Sequence, residues 1–199
     1  MIIYMYNVMC VTNRNLCQGD FLKKIEEILD TRPYAILLRE KDLSEKEYKA
    51  LASKVMEQCK AKEVPLILHS HVAVAKELGL SSIHLPLPML RSLSKEVRSS
   101  FQILGSSCHS LKEAKEAQEL GCTYMIAGHI FATDCKKGLP PRGLGFLKEI
   151  CEEVSIPVWA IGGMTMERMD EICKAGAKGG CMMSGFMMEN VQDEKRSIQ

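Results

Sequence analysis

One feature limits what this chain can fold into more than any other: short, continuously apolar runs alternate with amphipathic runs along its length. NVMCVT (7–12), YAILLR (34–39), VPLILH (64–69), SSIHL (81–85), FQILGSS (101–107), TYMIAG (123–128), PVWAIGG (157–163) and GGCMMSG (179–185) read as strands. Continuous apolarity, rather than strict alternation, is what a strand needs when both of its faces are covered. Between them, DFLKKIEEILD (20–30) places apolar residues at 21, 25, 28 and 29, a helical spacing. Ser44 and Glu47 form a capping-box pattern ahead of a long amphipathic run. Segments 72–79, 93–100, 110–121, 145–154 and 165–176 supply further helices. Gly79, Gly121 and Gly176 stand just past three of them and Thr165 ahead of the last. The tail from Met187 reads as a short helix that turns polar.

These are eight strand–helix units at a spacing of about 20–25 residues, which predicts an α/β fold: a single-domain (β/α)8 TIM barrel covering 1–199. A doubly wound open sheet is the alternative. A chain of 199 residues supplies one sizeable core, and no linker or low-complexity tract divides it.

Composition narrows the function. The net charge of +1 gives no push toward nucleic acid or a membrane surface, and 6% aromatic residues make a poor base-stacking platform. The nine cysteines contain no C-x-x-C pair and are odd in number, which argues against both a disulfide framework and a zinc cluster. They read as small core residues in a reducing, cytoplasmic compartment. The N-terminal MIIYMYNVMCV lacks a basic leader and reads as the first strand rather than a signal peptide. No run is long enough to span a bilayer.

In such a barrel the chemistry sits where strands end and loops begin. Strand two ends in Arg39, Glu40 and Lys41; strand three in His69, Ser70 and His71; strand four at His84; strand five in Ser106, Ser107 and Cys108. Strand six ends in His129, with Thr133, Cys135 and Lys136 on its loop. Strand seven ends in Gly162 and Gly163, strand eight in Ser184 and Gly185, and both of these ends offer backbone N–H groups to a phosphate. Arg39 points toward the mouth, Glu40 reads as a surface charge, and Lys41 fits either place. His84 reads as structural, His109 as the start of a surface helix, and His69 and His71 as rim residues of open role. His129 is the leading catalytic candidate, because an imidazole can take and return a proton near neutrality. Cys108 and Cys135 read as bystanders, since no nearby histidine spacing marks an activated thiol.

LREKDLSEKEY, LGSSCHSLKEA, GHIFATDCKKG, IPVWAIGGMT and the MSG near the end, taken together and in order, resemble the thiamine phosphate synthase superfamily. The resemblance implies the barrel already inferred, and it offers two activities. The synthase branch joins a pyrimidine diphosphate to a thiazole phosphate and expels pyrophosphate, with Mg2+ on two aspartates. Ser70 and Met89 stand at those two positions here. The thiazole tautomerase (TenI-type) branch lacks the aspartates and carries a motif like GHIFATDCKKG. That match implies a cofactor-free isomerase with His129 as the proton-transfer residue and a phosphorylated thiazole as substrate. Gly162, Gly163, Ser184 and Gly185 would hold the phosphate, and Lys41 and Ser107 would face the carboxylate end. No metal is expected. The tautomerase is the favoured reading, the Mg2+-dependent synthase the alternative, and a non-catalytic ligand-binding or regulatory protein the third. A homodimer is compatible with the sequence, which does not fix the oligomeric state.

Overall fold

Eight parallel strands of four to six residues pair in chain order, and the last pairs with the first to close a barrel. They are β1 (Val8–Val11), β2 (Ala35–Leu38), β3 (Leu66–His69), β4 (Ser82–Pro86), β5 (Ile103–Cys108), β6 (Tyr124–Gly128), β7 (Val158–Ile161) and β8 (Gly179–Met182). This is a computed structural model; it describes residues 6–133, 136 and 138–188. Residues 1–5, part of the segment read as the first strand, and the tail from 189 lie outside the described residues.

The strands separate two cores. Inside the barrel, Val11, Leu37, Ile67, Ile126, Trp159 and Cys181 pack together. Their sequence neighbours Cys10, Ile36, Leu68, Met125, Ala160 and Met182 face outward onto the helices. Helix α1 (Phe21–Asp30) buries Ile25, Ile28 and Leu29 there, the predicted apolar stripe. Each such side chain is worth at most about 1.5–3 kcal/mol in removed apolar surface.

Helix α2 (Glu45–Ala61) starts at the expected capping box: the Glu47 N–H donates to the Ser44 hydroxyl, and the Ser44 N–H donates to the Glu47 carboxylate. Helices α3 (Val72–Glu77), α5 (Lys95–Ser99), α6 (Leu111–Glu119) and α7 (Gly143–Glu153) also fall where the sequence places them. Two details differ. The segment 165–176 begins as a 3-10 turn, Met166–Arg168, and only then becomes α8 (Met169–Lys174); the Thr165 side chain makes no cap bond. An unexpected helix, α4 (Leu87–Ser92), follows β4 directly, with Pro86 at its N-cap and Pro88 in its first turn. Proline's fixed φ suits that turn and its missing N–H is unneeded there. The last helix among the described residues, α9 (Ser184–Met187), is one turn long. Among the described residues, no helix is long and apolar enough to cross a membrane.

Candidate active site

The strand register brings His69, His84, Gly105 and Tyr124 into one row across β3 to β6. The two imidazole rings lie 5.9 Å apart, nearly parallel. His84 Nδ1 lies 3.0 Å from the Tyr124 hydroxyl and its Nε2 lies 2.8 Å from Ser107 Oγ. Tyr124 reaches across β5 only because residue 105 is glycine. A Cβ there would stand 2.1 Å from the phenol ring.

Burial, joined by the charges of Arg39 and Lys41, pushes the His69 imidazole down to about 3. Burial likewise lowers His84 well below its ordinary value, and it raises the Tyr124 phenol. Both rings are therefore neutral near pH 7, and each presents one donor and one acceptor nitrogen.

Arg39 and Lys41 stand at the end of β2, beside this row. The Arg39 guanidinium, aided by burial, lowers the Lys41 ammonium. No described carboxylate lies within ion-pair distance of either side chain. The backbone that carries Arg39 is pinned. Its N–H donates to Thr12 Oγ1 at 2.9 Å, and that hydroxyl donates to Glu40 at 2.6 Å. Glu40 also accepts from the Arg14 N–H at 3.0 Å. The reading of Glu40 as a surface charge is thus corrected: it is 2% exposed and joins the ends of β1 and β2. Across the next gap, the Tyr48 hydroxyl donates to the Leu38 carbonyl at 2.7 Å and accepts from the His69 N–H at 3.1 Å. His71 stacks on the same Tyr48 ring. The lone exposed histidine of these loops is His109, beside Glu113 ahead of α6.

A second group forms where β6 meets β7. His129 is buried, 6% exposed, with Nε2 3.4 Å from the Leu139 carbonyl. Its backbone carbonyl accepts from Arg142, while Ile130 and Phe131 donate to Ile161 and Gly162. Gly162 has φ +98, and a Cβ there would lie 2.3 Å from His129 Cβ. Gly163 has φ +61; its carbonyl accepts from the Arg168 guanidinium, which lies over the Phe131 ring. Among the described residues nothing accepts from the N–H of Gly162 or Gly163. Thr133 and Lys136 share a backbone hydrogen bond on the loop after β6. Ser184, exposed, and Gly185 open α9 after β8.

The structure therefore brings Arg39, Lys41 and Ser107 together with His69 and His84, and it brings His129 together with Gly162 and Gly163. Among the described residues, no hydrogen bond or ring contact joins His129 to the imidazole row. Cys108 is buried and its thiol is pushed up to about 12, so it is no activated nucleophile. Cys135, the other bystander, and Asp134 lie outside the described residues. Sequence reasoning missed Tyr124, Tyr48 and Arg168 altogether. The one available signal was a hydroxyl inside an otherwise apolar strand, YMIAG.

A family model described as thiamine monophosphate synthase matches residues 8–186. The chain belongs to the thiamine monophosphate synthase family. It is 30% identical over 203 residues to the thiamine-phosphate synthase of Syntrophomonas wolfei, an alignment covering 98% of this chain and 95% of that one. It is 35% identical to the putative thiamine-phosphate synthase 2 of Aquifex aeolicus, covering 89% and 95%. A thiamine phosphate pyrophosphorylase structure from Pyrococcus furiosus superposes with a TM-score of 0.81 at 26% identity, covering 94% and 90%. These relatives correct one expectation. They are named as thiamine-phosphate synthases, transferases rather than isomerases, so the assignment of the chain as an isomerase of the tautomerase branch is overturned.

The family resemblance implies a divalent cation, and the donor set can be tested against it. A hard cation such as Mg2+ takes oxygen ligands, carboxylates above all. At the two positions where the resemblance places carboxylates, Ser70 holds its Oγ 2.7 Å from His69 Nδ1, and Met89 is an exposed thioether on α4. Glu40 is committed to Thr12 and Arg14. No group of three or more His, Cys, Asp or Glu side chains among the described residues can hold a metal ion. The described residues do not fit Mg2+.

Proposed function

We propose that the chain couples a thiazole phosphate to a pyrimidine diphosphate, the reaction for which its relatives are named. The ring nitrogen of the thiazole forms a bond to the methylene carbon of the pyrimidine. The carbon–oxygen bond to the diphosphate breaks, and inorganic pyrophosphate leaves with the bonding pair. The family membership supports this reading, as does one observation above all: two cations, Arg39 and Lys41, stand together at the end of β2, and no described carboxylate is within ion-pair distance of either. Such a pair suits a leaving group on which negative charge builds up.

The N–H groups of Gly162 and Gly163, with Ser184 and Gly185 across the β7–β8 gap, form the cradle for the thiazole phosphate. Thr133 and Lys136 border it from the loop after β6. His129 positions this cradle, since its Cβ packs on Gly162 and its own segment is bonded to Ile161 and Gly162. Ser107, oriented by neutral His84, meets the pyrimidine side.

The test is direct. Purified chain is incubated with both substrates, and thiamine phosphate is read after oxidation to its fluorescent product. Formation that depends on both substrates and on Arg39 supports the reading. Absence of product under every ionic condition overturns it.

A further inference from the structure

Resting on the coupling reading, we infer that this mouth holds the diphosphate directly, through Arg39, Lys41 and the His69 ring, with no divalent cation between protein and anion. The geometry gives each group a reason to be there. Arg39 emerges from a backbone fixed on both sides, by Thr12 and by the Tyr48 bridge at Leu38. A guanidinium so placed can meet two phosphate oxygens at once. Lys41 follows two residues later, close enough for Arg39 to lower its ammonium. That repulsion has no carboxylate to relieve it among the described residues, and an anion between the two cations would relieve it.

His69 completes the set. Its Nδ1 is occupied by Ser70 Oγ at 2.7 Å, and Ser70 sits at φ +68, a conformation that turns its short side chain back onto the ring. In the tautomer in which Nδ1 accepts from that hydroxyl, the ring proton sits on Nε2, which becomes a donor. A neutral imidazole beside two cations adds a hydrogen bond without adding a third repelling charge. The position the resemblance assigns to a cation's ligand is thus spent on orienting a donor toward the anion. The other such position, Met89, offers sulfur to the solvent. Recognition passes from metal-bridged oxygen to direct nitrogen donors.

Inorganic pyrophosphate is the probe. Calorimetric titration into the full chain in EDTA should show binding, and added Mg2+ should weaken it, because the ion competes for the same oxygens. Arg39→Gln and Lys41→Gln should each cut affinity by about tenfold or more, as expected for lost charge-assisted bonds. His69→Asn should weaken it less. Circular dichroism melting confirms that each variant folds. Binding that appears only with Mg2+, no binding in either buffer, or affinity unchanged in both cation variants would overturn the inference. The outcome separates from that of the coupling assay. Coupling that strictly needs Mg2+ keeps the proposed reaction and removes this inference. Pyrophosphate binding in EDTA, without coupling under any condition, keeps this inference and removes the reaction.

Discussion

The phenol of Tyr124 crosses above Gly105 to place its hydroxyl 3.0 Å from His84 Nδ1. With Ser107 on Nε2, both nitrogens of a buried, neutral ring are satisfied, one donating and one accepting. The ring is therefore fixed at the barrel mouth without any charge.

Removing the phenol hydroxyl should show what that arrangement is worth. Tyr124→Phe keeps the ring and leaves one His84 nitrogen unpaired in a dry place, a loss of about 1–3 kcal/mol in urea unfolding. Gly105→Ala should cost at least as much, because its Cβ claims the space of the Tyr124 ring. If Tyr124→Phe is as stable as the parent chain, the hydrogen bond is idle.

The element order was legible because helices declare themselves locally: Ser44 and Glu47 cap α2, and apolar spacing marks α1. The site was legible only as a set of strand ends. LILH in β3 is buried at all four positions, so no polar–apolar alternation tells which residues face inward. The inward place of His84, and its pairing with Tyr124 forty residues on, depend on the register of β4, β5 and β6. Glu40 misled for a related reason. A carboxylate at a strand end reads as exposed until Thr12 and the Arg14 N–H, from a distant segment, are found around it.

That Glu40 cluster carries the second prediction. Glu40→Ala removes the acceptor of the Thr12 hydroxyl and of the Arg14 N–H at one buried point. The loss should be about 2–4 kcal/mol in stability. It should also weaken pyrophosphate binding, because Thr12 holds the Arg39 N–H. Thr12→Ser in the parent chain, which retains the hydroxyl, should keep most of the parent binding. Stability unchanged in Glu40→Ala would show the cluster to be ornamental.

Stability should fall on mild acidification, and the buried imidazoles set the direction. His69 and His84 have folded values below the ordinary 6.5, so the unfolded chain binds protons first as pH drops. Their contribution is complete above pH 6.5 and is lost as pH falls toward about 3. His71 and His109 are shifted the same way and add to the slope. Each imidazole contributes at most about 1.4 kcal/mol per pH unit. Urea midpoints measured at pH 7 and at pH 5 should differ accordingly, and His69→Asn should flatten the dependence. Equal midpoints at the two pH values would contradict neutral burial.

The last prediction concerns Gly162, where backbone and site meet. Its φ of +98 is one that an L side chain rarely adopts, and the added Cβ would stand 2.3 Å from His129 Cβ and 2.8 Å from His129 Cα. The second of these is backbone, so no rotamer change relieves it. The strand end must shift, and with it the N–H groups assigned to the thiazole phosphate. Gly162→Ala should therefore raise the KM for the thiazole phosphate by about tenfold or more and leave pyrophosphate binding at Arg39 and Lys41 close to the parent value. His129→Asn keeps the packing at Cβ and loses only the ring, so it should damage KM less than Gly162→Ala does. A Gly162→Ala protein whose KM for the thiazole phosphate is unchanged would place the phosphate elsewhere. One that loses pyrophosphate binding and thiazole affinity together would show the two halves of the mouth to be a single site.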